Sequence, residues 1–180
     1  IVLVDEINRA PAKTQAALFE VMEERQVSMD GVTYPMGELY TILATQNPVE
    51  QEGTYRLPEA QLDRFLMKVT MGYPSADDEL EILKRHEQHT DLVKLSDVKP
   101  VLTKEEVLQL RSCMNDVVID ESLLRYITQI VQQTRSSRAV YLGASPRASV
   151  AMLQASKAYA LLQGRDFVTP EDIKAVTPSI

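Results

Sequence analysis

The chain begins with an apolar run that ends in two acids. Residues 1–4 are all aliphatic and are followed directly by Asp5 and Glu6. Four consecutive branched side chains predict a strand buried on both faces, as in the middle of a parallel sheet. A second apolar run, at 39–45, predicts another buried strand and is followed by Asn47. Both predicted strands therefore end in polar side chains.

The pattern between these two strands predicts a helix and a hairpin. A helix from about 11 to 25 is indicated by apolar residues that share one helical face: Ala17, Leu18, Val21 and Met22. Asp30-Gly31 then predicts a β-hairpin over about 26–37, because both residues tolerate the positive φ of a tight turn. Strand, helix, hairpin and strand in this order favour a right-handed crossover, which makes the two strands parallel. We therefore expect Asn47 to lie beside Asp5 and Glu6.

The next segment leads to a predicted domain boundary. The polar stretch 50–56 predicts a loop over the edge of the sheet. A short helix over 57–65 and a third strand over 65–69 should follow. Gly72-Tyr73-Pro74 breaks the pattern, so residues 1–73 are predicted to form an α/β domain with the hairpin as an insertion.

Residues 74–180 are predicted to form an all-α domain of four main helices and a short fifth one. Each helix begins at a recognisable cap: Ser75 with Asp78, Thr103 with Glu106, Asp120, Ser145 before Pro146, and Thr169 with Asp172. Arg147 would lie in the first turn of one helix, where the helix dipole disfavours a cation. We therefore expect an anion near Arg147.

Composition and charge narrow the possible functions. The chain has 180 residues, 44% of them hydrophobic, and a formal net charge of −7. This charge argues against broad, sequence-independent binding to nucleic acid. No apolar run approaches the roughly 18 residues of a membrane span, and no leader pattern occurs, so we expect a cytoplasmic protein. The single cysteine excludes an internal disulfide.

The acids after the first strand suggest phosphate chemistry. Proteins that bind nucleoside triphosphates use a strand of this kind, the Walker B element, to hold the water shell of Mg²⁺ with an Asp. Asp5 fits that role, and Glu6 could polarise the attacking water. Asn47 could hold a water and touch a γ-phosphate at once. By themselves these residues also fit a buried strand whose acids open a loop, and a turn Asn before a Pro.

Four motifs, in order and at fitting separations, resemble the MoxR-type AAA+ ATPases. They span residues 3–10, 44–48, 53–65 and 145–147. The resemblance implies an α/β fold, part of the parallel sheet of an AAA+ P-loop domain, followed by an all-α lid domain. The hairpin resembles the insertion before sensor 1 in this branch of the superfamily.

The same resemblance assigns roles to five residues. It implies that Asp5 binds Mg²⁺, that Glu6 is the general base and that Asn47 is the sensor 1 residue, which touches ATP. Arg64 would be the arginine finger that acts on the ATP of the neighbouring subunit. Arg147 would be the sensor 2 residue, which reaches the γ-phosphate from the lid.

One motif of the family is absent from the sequence. No Gly-x-x-x-x-Gly-Lys-Ser/Thr occurs, so the loop that cradles the phosphates is missing. We expect the chain to be the carboxyl-terminal part of a longer ATPase and to bind ATP poorly, if at all, without the rest. In the family a strand lies between the segments 39–45 and 65–69, so we expect one of three outcomes for 65–69. The segment should lack a sheet partner, pair directly with 39–45 or pair with another molecule.

The resemblance also implies a function. The protein would be an ATP-hydrolysing subunit of a ring, a hexamer of like subunits, that remodels a partner protein or assists insertion of a metal cofactor. The alternatives are the motor of a magnesium chelatase, a DNA-handling ring and a non-enzymatic adaptor that binds through its helical domain. The hairpin carries no Lys or Arg between Val27 and Leu39, which argues against DNA.

Overall fold

A computed structural model of the protein describes residues 1–47, 57–88 and 95–180. The loop predicted at 50–56 lies outside the described residues. The described part consists of a small α/β portion followed by a series of helices.

Two short parallel strands form the first sheet. Strand β1, Val2–Val4, pairs in parallel with β4, Ile42–Ala44, so that Leu3 lies opposite Leu43. The parallel pairing is therefore confirmed. The predicted burial on both faces is wrong, since Leu3 is 66% and Leu43 52% exposed. Side chains alternate between the two faces of a sheet, and in the described residues only the face of Val4 and Ala44 packs against a core.

Helix α1 and a hairpin connect the two parallel strands. Helix α1, Ala12–Glu24, ends at Arg25, whose φ of 51° is left-handed. Strands β2, Gln26–Met29, and β3, Val32–Pro35, pair antiparallel. The turn between β2 and β3 has φ of 53° at Asp30 and 78° at Gly31, as the sequence predicts. The side chains of Ile7, Phe19 and Leu57 form the buried centre of this portion.

The third strand predicted at 65–69 is wrong. After α2, Glu59–Leu62, residues 63–75 form neither helix nor strand. The backbone amide of Lys68 instead donates to the carbonyl of Ser179 at 2.7 Å. A strand needs a neighbour for its backbone groups, and within the described residues this segment has none. The expectation that 65–69 would lack a sheet partner is confirmed.

The five helices predicted after residue 74 are all present. They are α3, Ala76–Glu87; α4, Lys104–Cys113; α5, Glu121–Ser136; α6, Pro146–Leu162; and α7, Pro170–Val176. Each begins at the predicted cap residue. Helices α3 and α4 contain no buried residue. The buried core lies in α5, α6, α7 and the adjoining loops: Val117, Ile127, Val131, Met152, Ala160, Val168 and Ile173. None of the described helices is long and apolar enough to cross a membrane.

Candidate functional site

The hydroxyl of Thr45 joins the two acids that follow β1. Thr45 Oγ1 donates to Asp5 Oδ1 at 2.5 Å and accepts from the backbone amide of Glu6 at 2.9 Å. Thr45 directly follows β4, and its own amide donates to the carbonyl of Val4 at 3.0 Å. Parallel pairing of β1 with β4 therefore brings this hydroxyl to the acids. One side chain fixes both the carboxylate of Asp5 and the backbone of Glu6.

Glu6 has an unusual backbone conformation. Its φ of 47° and ψ of 54° lie in the left-handed region, which a residue other than glycine seldom adopts. Such conformations persist where surrounding bonds enforce them, and they cluster at functional sites. The carboxylate of Glu6 pairs with Arg9 Nε at 3.0 Å, within the 3-10 turn Ile7–Arg9. The chain thus turns sharply at Glu6 and holds its carboxylate near the end of the sheet.

Asn47 lies near the same edge of the sheet. The carbonyl of Asn47 accepts from Asn8 Nδ2 at 3.3 Å, two residues after Glu6. The amide of Ile7 donates to the carbonyl of Thr45 at 3.0 Å. The segments that carry Asp5, Glu6 and Asn47 are therefore bonded side by side, as the sequence predicts.

The two arginines to which the resemblance assigns contacts with ATP lie apart from Asp5 and Glu6. Arg64 and Arg147 both contact Glu23, in the last turn of α1. Gln15, near the start of the same helix, donates to the carbonyl of Ile7 at 3.2 Å, beside the acids. Eight residues of α-helix span about 12 Å along the axis. The structure thus separates the arginine pair from the acidic pair along the length of α1.

The arginine pair belongs to a cluster of charged groups between α1, α2 and α6. Glu23 Oε1 accepts from Arg147 Nη2 at 2.8 Å, and Glu23 Oε2 pairs with Arg64. Asp63 Oδ1 accepts from the hydroxyl of Ser145 at 2.6 Å, and its Oδ2 lies 3.4 Å from Arg147 Nη1. The guanidinium group of Arg64 also lies 5.7 Å from the ring centre of Phe19. The anion expected near Arg147 is thus present as two carboxylates of the chain itself.

An open cavity of about 390 Å³ borders both arginines. Its walls come from the segment after α2 and from one side of α6, including Leu66, Val150 and Gln154. A ligand could therefore reach the two guanidinium groups from solvent.

Three contributing residues have no role in the sequence-based prediction: Thr45, Glu23 and Asp63. Thr45 and Asp63 lie inside motifs that carry the resemblance, two residues before Asn47 and one before Arg64. Glu23 is one acid among several at the end of a helix, and no local pattern distinguishes it. Its contact with Arg147 spans 124 positions.

Comparison with known proteins assigns the chain to a family. Residues 1–67 match the family described as ATPase family associated with various cellular activities (AAA), and residues 132–180 match the AAA lid domain. The chain is 50% identical to the protein YeaC of Bacillus subtilis over 99% of its own length and 55% of YeaC. It is 43% identical to the chaperone MoxR1 of Mycobacterium tuberculosis, over 99% of the chain and 48% of MoxR1. The chain belongs to the MoxR-type AAA+ ATPases.

A solved structure agrees with this assignment. A Cytophaga hutchinsonii protein, provisionally named an ATPase, superposes with a TM-score of 0.88 at 44% identity. The match covers 99% of this chain and 56% of that protein. The predicted fold, part of an AAA+ α/β sheet followed by a helical lid, is confirmed. This MoxR-type chain spans about half the length of the curated relatives it matches.

Proposed function

We propose that the chain supplies the metal-side, sensor and lid parts of an ATP-hydrolysing MoxR-type subunit. The observation that carries the proposal is the Thr45 hydroxyl, which bonds both Asp5 and the backbone of Glu6. Thr45 bonds Asp5 through its carboxylate and Glu6 through its backbone amide. At the carboxyl end of a parallel strand, this arrangement is suitable for a metal ligand, Asp5, followed by a general base, Glu6.

The acids fit Mg²⁺ in the way that nucleotide enzymes hold it. Mg²⁺ keeps several waters and takes one or two carboxylates together with substrate phosphates. Among the described residues no group of three or more His, Cys, Asp or Glu side chains could enclose a metal. Asp5 offers Oδ2, the oxygen that Thr45 does not bond, to a hydrated cation. When bound, Mg²⁺ would neutralise charge on the phosphates of ATP.

Glu6 is proposed to take a proton from the attacking water. The backbone of Glu6 is left-handed, and its amide donates to Thr45 Oγ1. This conformation gives the Glu6 side chain a different direction from that of Asp5. Arg9 Nε holds the Glu6 carboxylate at 3.0 Å, beside the turn that follows β1. Asn47, bonded to the same turn through Asn8, would position the water or the γ-phosphate.

Arg64 and Arg147 are proposed to serve the nucleotide of a neighbouring subunit. The two share Glu23 at one end of α1, whereas the other end of α1 contacts the turn that carries the acids. A permanently charged, planar guanidinium group can stabilise the charge on a transferring phosphoryl group. The resemblance implies that Arg147 reaches a γ-phosphate from the lid, and the proposal places that phosphate on the neighbouring subunit. The arrangement requires a ring of like subunits, which we propose to be a hexamer.

The remaining parts of the proposal concern the rest of the protein and its partner. The Gly-Lys loop that cradles phosphates would come from outside these 180 residues. One relative is named a chaperone, and we propose that this protein likewise remodels a partner protein or assists insertion of a metal cofactor.

The proposal is tested by ATP hydrolysis and ATP binding in the complete protein that contains this chain. Glu6→Gln should lower kcat by about 100-fold or more and leave ATP affinity near normal, because the base is lost while Asp5 remains. Glu105→Gln, an exposed acid in the first turn of α4, is the control and should behave like wild type. Substantial turnover by Glu6→Gln at saturating ATP would contradict the role of Glu6.

A further inference from the structure

Glu23 holds two arginines with a single carboxylate. Its Oε1 accepts from Arg147 Nη2 at 2.8 Å, while its Oε2 pairs with Arg64 Nη1. Arg64 comes from the end of α2 and Arg147 from the first turn of α6, so Glu23 is the common partner of two separate elements. Each oxygen serves one guanidinium group, which fixes the two cations side by side.

Two neighbouring guanidinium groups need such an anion between them. Like charges at this separation repel, and long arginine side chains lose rotamer entropy when they are fixed. Without a shared partner this repulsion would disfavour the arrangement in which both guanidinium groups lie side by side. A carboxylate between them offsets the repulsion and holds both in place before any ligand arrives.

We propose that Glu23 is a positioning residue that presents Arg64 and Arg147 together to one phosphate group. The inference rests on the proposed function, in which that phosphate belongs to ATP on a neighbouring subunit. Glu23 itself would touch no nucleotide and would act only through the two arginines.

The ion pairs of Glu23 can orient the two arginines and still release them to a ligand. The side chain of Glu23 is 36% exposed and that of Arg147 57% exposed. Ion pairs at such exposure are weak, so a multiply charged phosphate can draw the guanidinium groups toward itself. The cavity of about 390 Å³ beside both arginines gives that phosphate a route of approach.

Asp63 connects the segment that carries Arg64 with the start of α6, which carries Arg147. It directly precedes Arg64, and its carboxylate accepts from the hydroxyl of Ser145 at 2.6 Å. Ser145 is the amino-terminal cap of α6, the helix that carries Arg147. Asp63 thus links the start of α6 to the segment that carries Arg64.

The test compares Glu23→Gln, Glu23→Asp and Glu24→Gln with wild type in the complete protein. Steady-state ATP hydrolysis gives kcat and KM, and thermal unfolding reports folding. Glu23→Gln should lower kcat by about 10- to 100-fold, since a small misplacement of a catalytic group has effects of that size. The KM for ATP should change less than about twofold, because Glu23 does not contact the nucleotide of its own subunit.

Two further variants separate positioning from a structural effect. Glu23→Asp keeps the charge and should regain a measurable part of kcat. Glu24→Gln, the adjacent exposed acid on α1, removes the same charge and should match wild type. In a variant that lacks both guanidinium groups, Arg64→Ala with Arg147→Ala, adding Glu23→Gln should cause no further loss of hydrolysis, since Glu23 acts through the two arginines.

The outcomes distinguish this inference from the proposed function. If hydrolysis falls in Arg64→Ala but is normal or faster in Glu23→Gln, the positioning role is wrong and the proposed function stands. A parallel rise in KM, or a loss of kcat that Glu24→Gln reproduces, would also overturn it. If Arg64→Ala hydrolyses ATP like wild type, the proposed role of Arg64 fails, and this inference fails with it.

Discussion

At the scale of single residues, the lid contains a buried carboxylate, Asp172, whose two oxygens both accept hydrogen bonds. Asp172 is 1% exposed and accepts from Arg165 Nη1 at 2.8 Å and from Arg165 Nη2 at 2.5 Å. The amide of Thr169 also donates to it, at 2.7 Å, which caps α7. The bonds from Arg165, followed by those from Thr169, lower the pKa of Asp172, although burial acts in the opposite direction. This carboxylate therefore favours the folded state when it is charged.

Asp172→Asn should lower the free energy of unfolding by about 3 kcal/mol at pH 7, because it removes one partner of a buried ion pair. A lowered pKa in the folded state means that the stabilisation is complete above the unfolded value of about 3.9 and is lost as the pH falls further. The difference between wild type and variant should therefore shrink below about pH 4.

Denaturation followed by circular dichroism, from pH 7 to pH 2.5, would measure that difference. Glu171→Gln, the neighbouring exposed acid in the first turn of α7, serves as the control and should change stability by less than about 1 kcal/mol. A wild-type advantage over Asp172→Asn that grows toward low pH would contradict the assignment of the stabilisation to the charged carboxylate.

At the scale of elements, the loop before α6 is fixed onto α5. Ala144 donates its amide to Thr134 Oγ1 at 2.9 Å, and its carbonyl accepts from Arg135 Nε at 2.8 Å. Gly143 approaches α5 so closely that an added Cβ would lie 2.7 Å from the Cα of Arg135. The position of Arg147, four residues later, depends on this contact.

Gly143→Ala should therefore push the loop away from α5. We expect a loss of about 1–3 kcal/mol in stability, the usual cost of overpacking against backbone, and a lower kcat because Arg147 is displaced. Thermal unfolding and ATP hydrolysis would measure both effects. Gly37→Ala is the matched control, since nothing lies within 4 Å of a Cβ added there. Equal behaviour of the two variants would show that the loop tolerates a side chain.

At the scale of the whole molecule, the acidic pair and the arginine pair lie at opposite ends of α1, about 12 Å apart along its axis. The two are joined by α1, which bonds to the acidic turn through Gln15 and to both arginines through Glu23. In a closed ring every subunit can then offer its acids to one neighbour and its arginines to the other. Under the proposed function, a complete site would be formed by two subunits.

Subunits with complementary defects should therefore restore each other. Glu6→Gln and Arg64→Ala should each be inactive, but an equal mixture should recover about a quarter of wild-type hydrolysis, because one interface in four unites an intact Glu6 with an intact Arg64. The measurement is the rate of ATP hydrolysis after the rings have been dissociated and reassembled together.

Arg147→Ala should complement Glu6→Gln in the same way if both arginines serve the neighbour. Mixed rings without recovered activity would contradict action between subunits and favour a role of the arginines within one subunit. Mixing each variant with wild type provides the reference for ring assembly.

The sequence by itself determined the local elements, because their causes lie within a few residues. Ser75 with Asp78 and Thr103 with Glu106 form the predicted capping boxes. Asp30-Gly31 forms the predicted turn. The order of elements was also sufficient to predict parallel pairing of β1 with β4, which placed Asn47 near the acids.

Only the tertiary structure decided which surfaces are covered and which charges meet. The largely apolar segment 65–69 has the composition of a strand, but a strand requires a partner, and the Lys68 amide donates to the carbonyl of Ser179 instead. The cap at Ser75 predicts where α3 begins, but α3 contains no buried residue. The bonds that join Ser145 to Asp63 and Arg147 to Glu23 span 82 and 124 positions. Contacts over such separations depend on how whole elements pack, and no local pattern of residues encodes them.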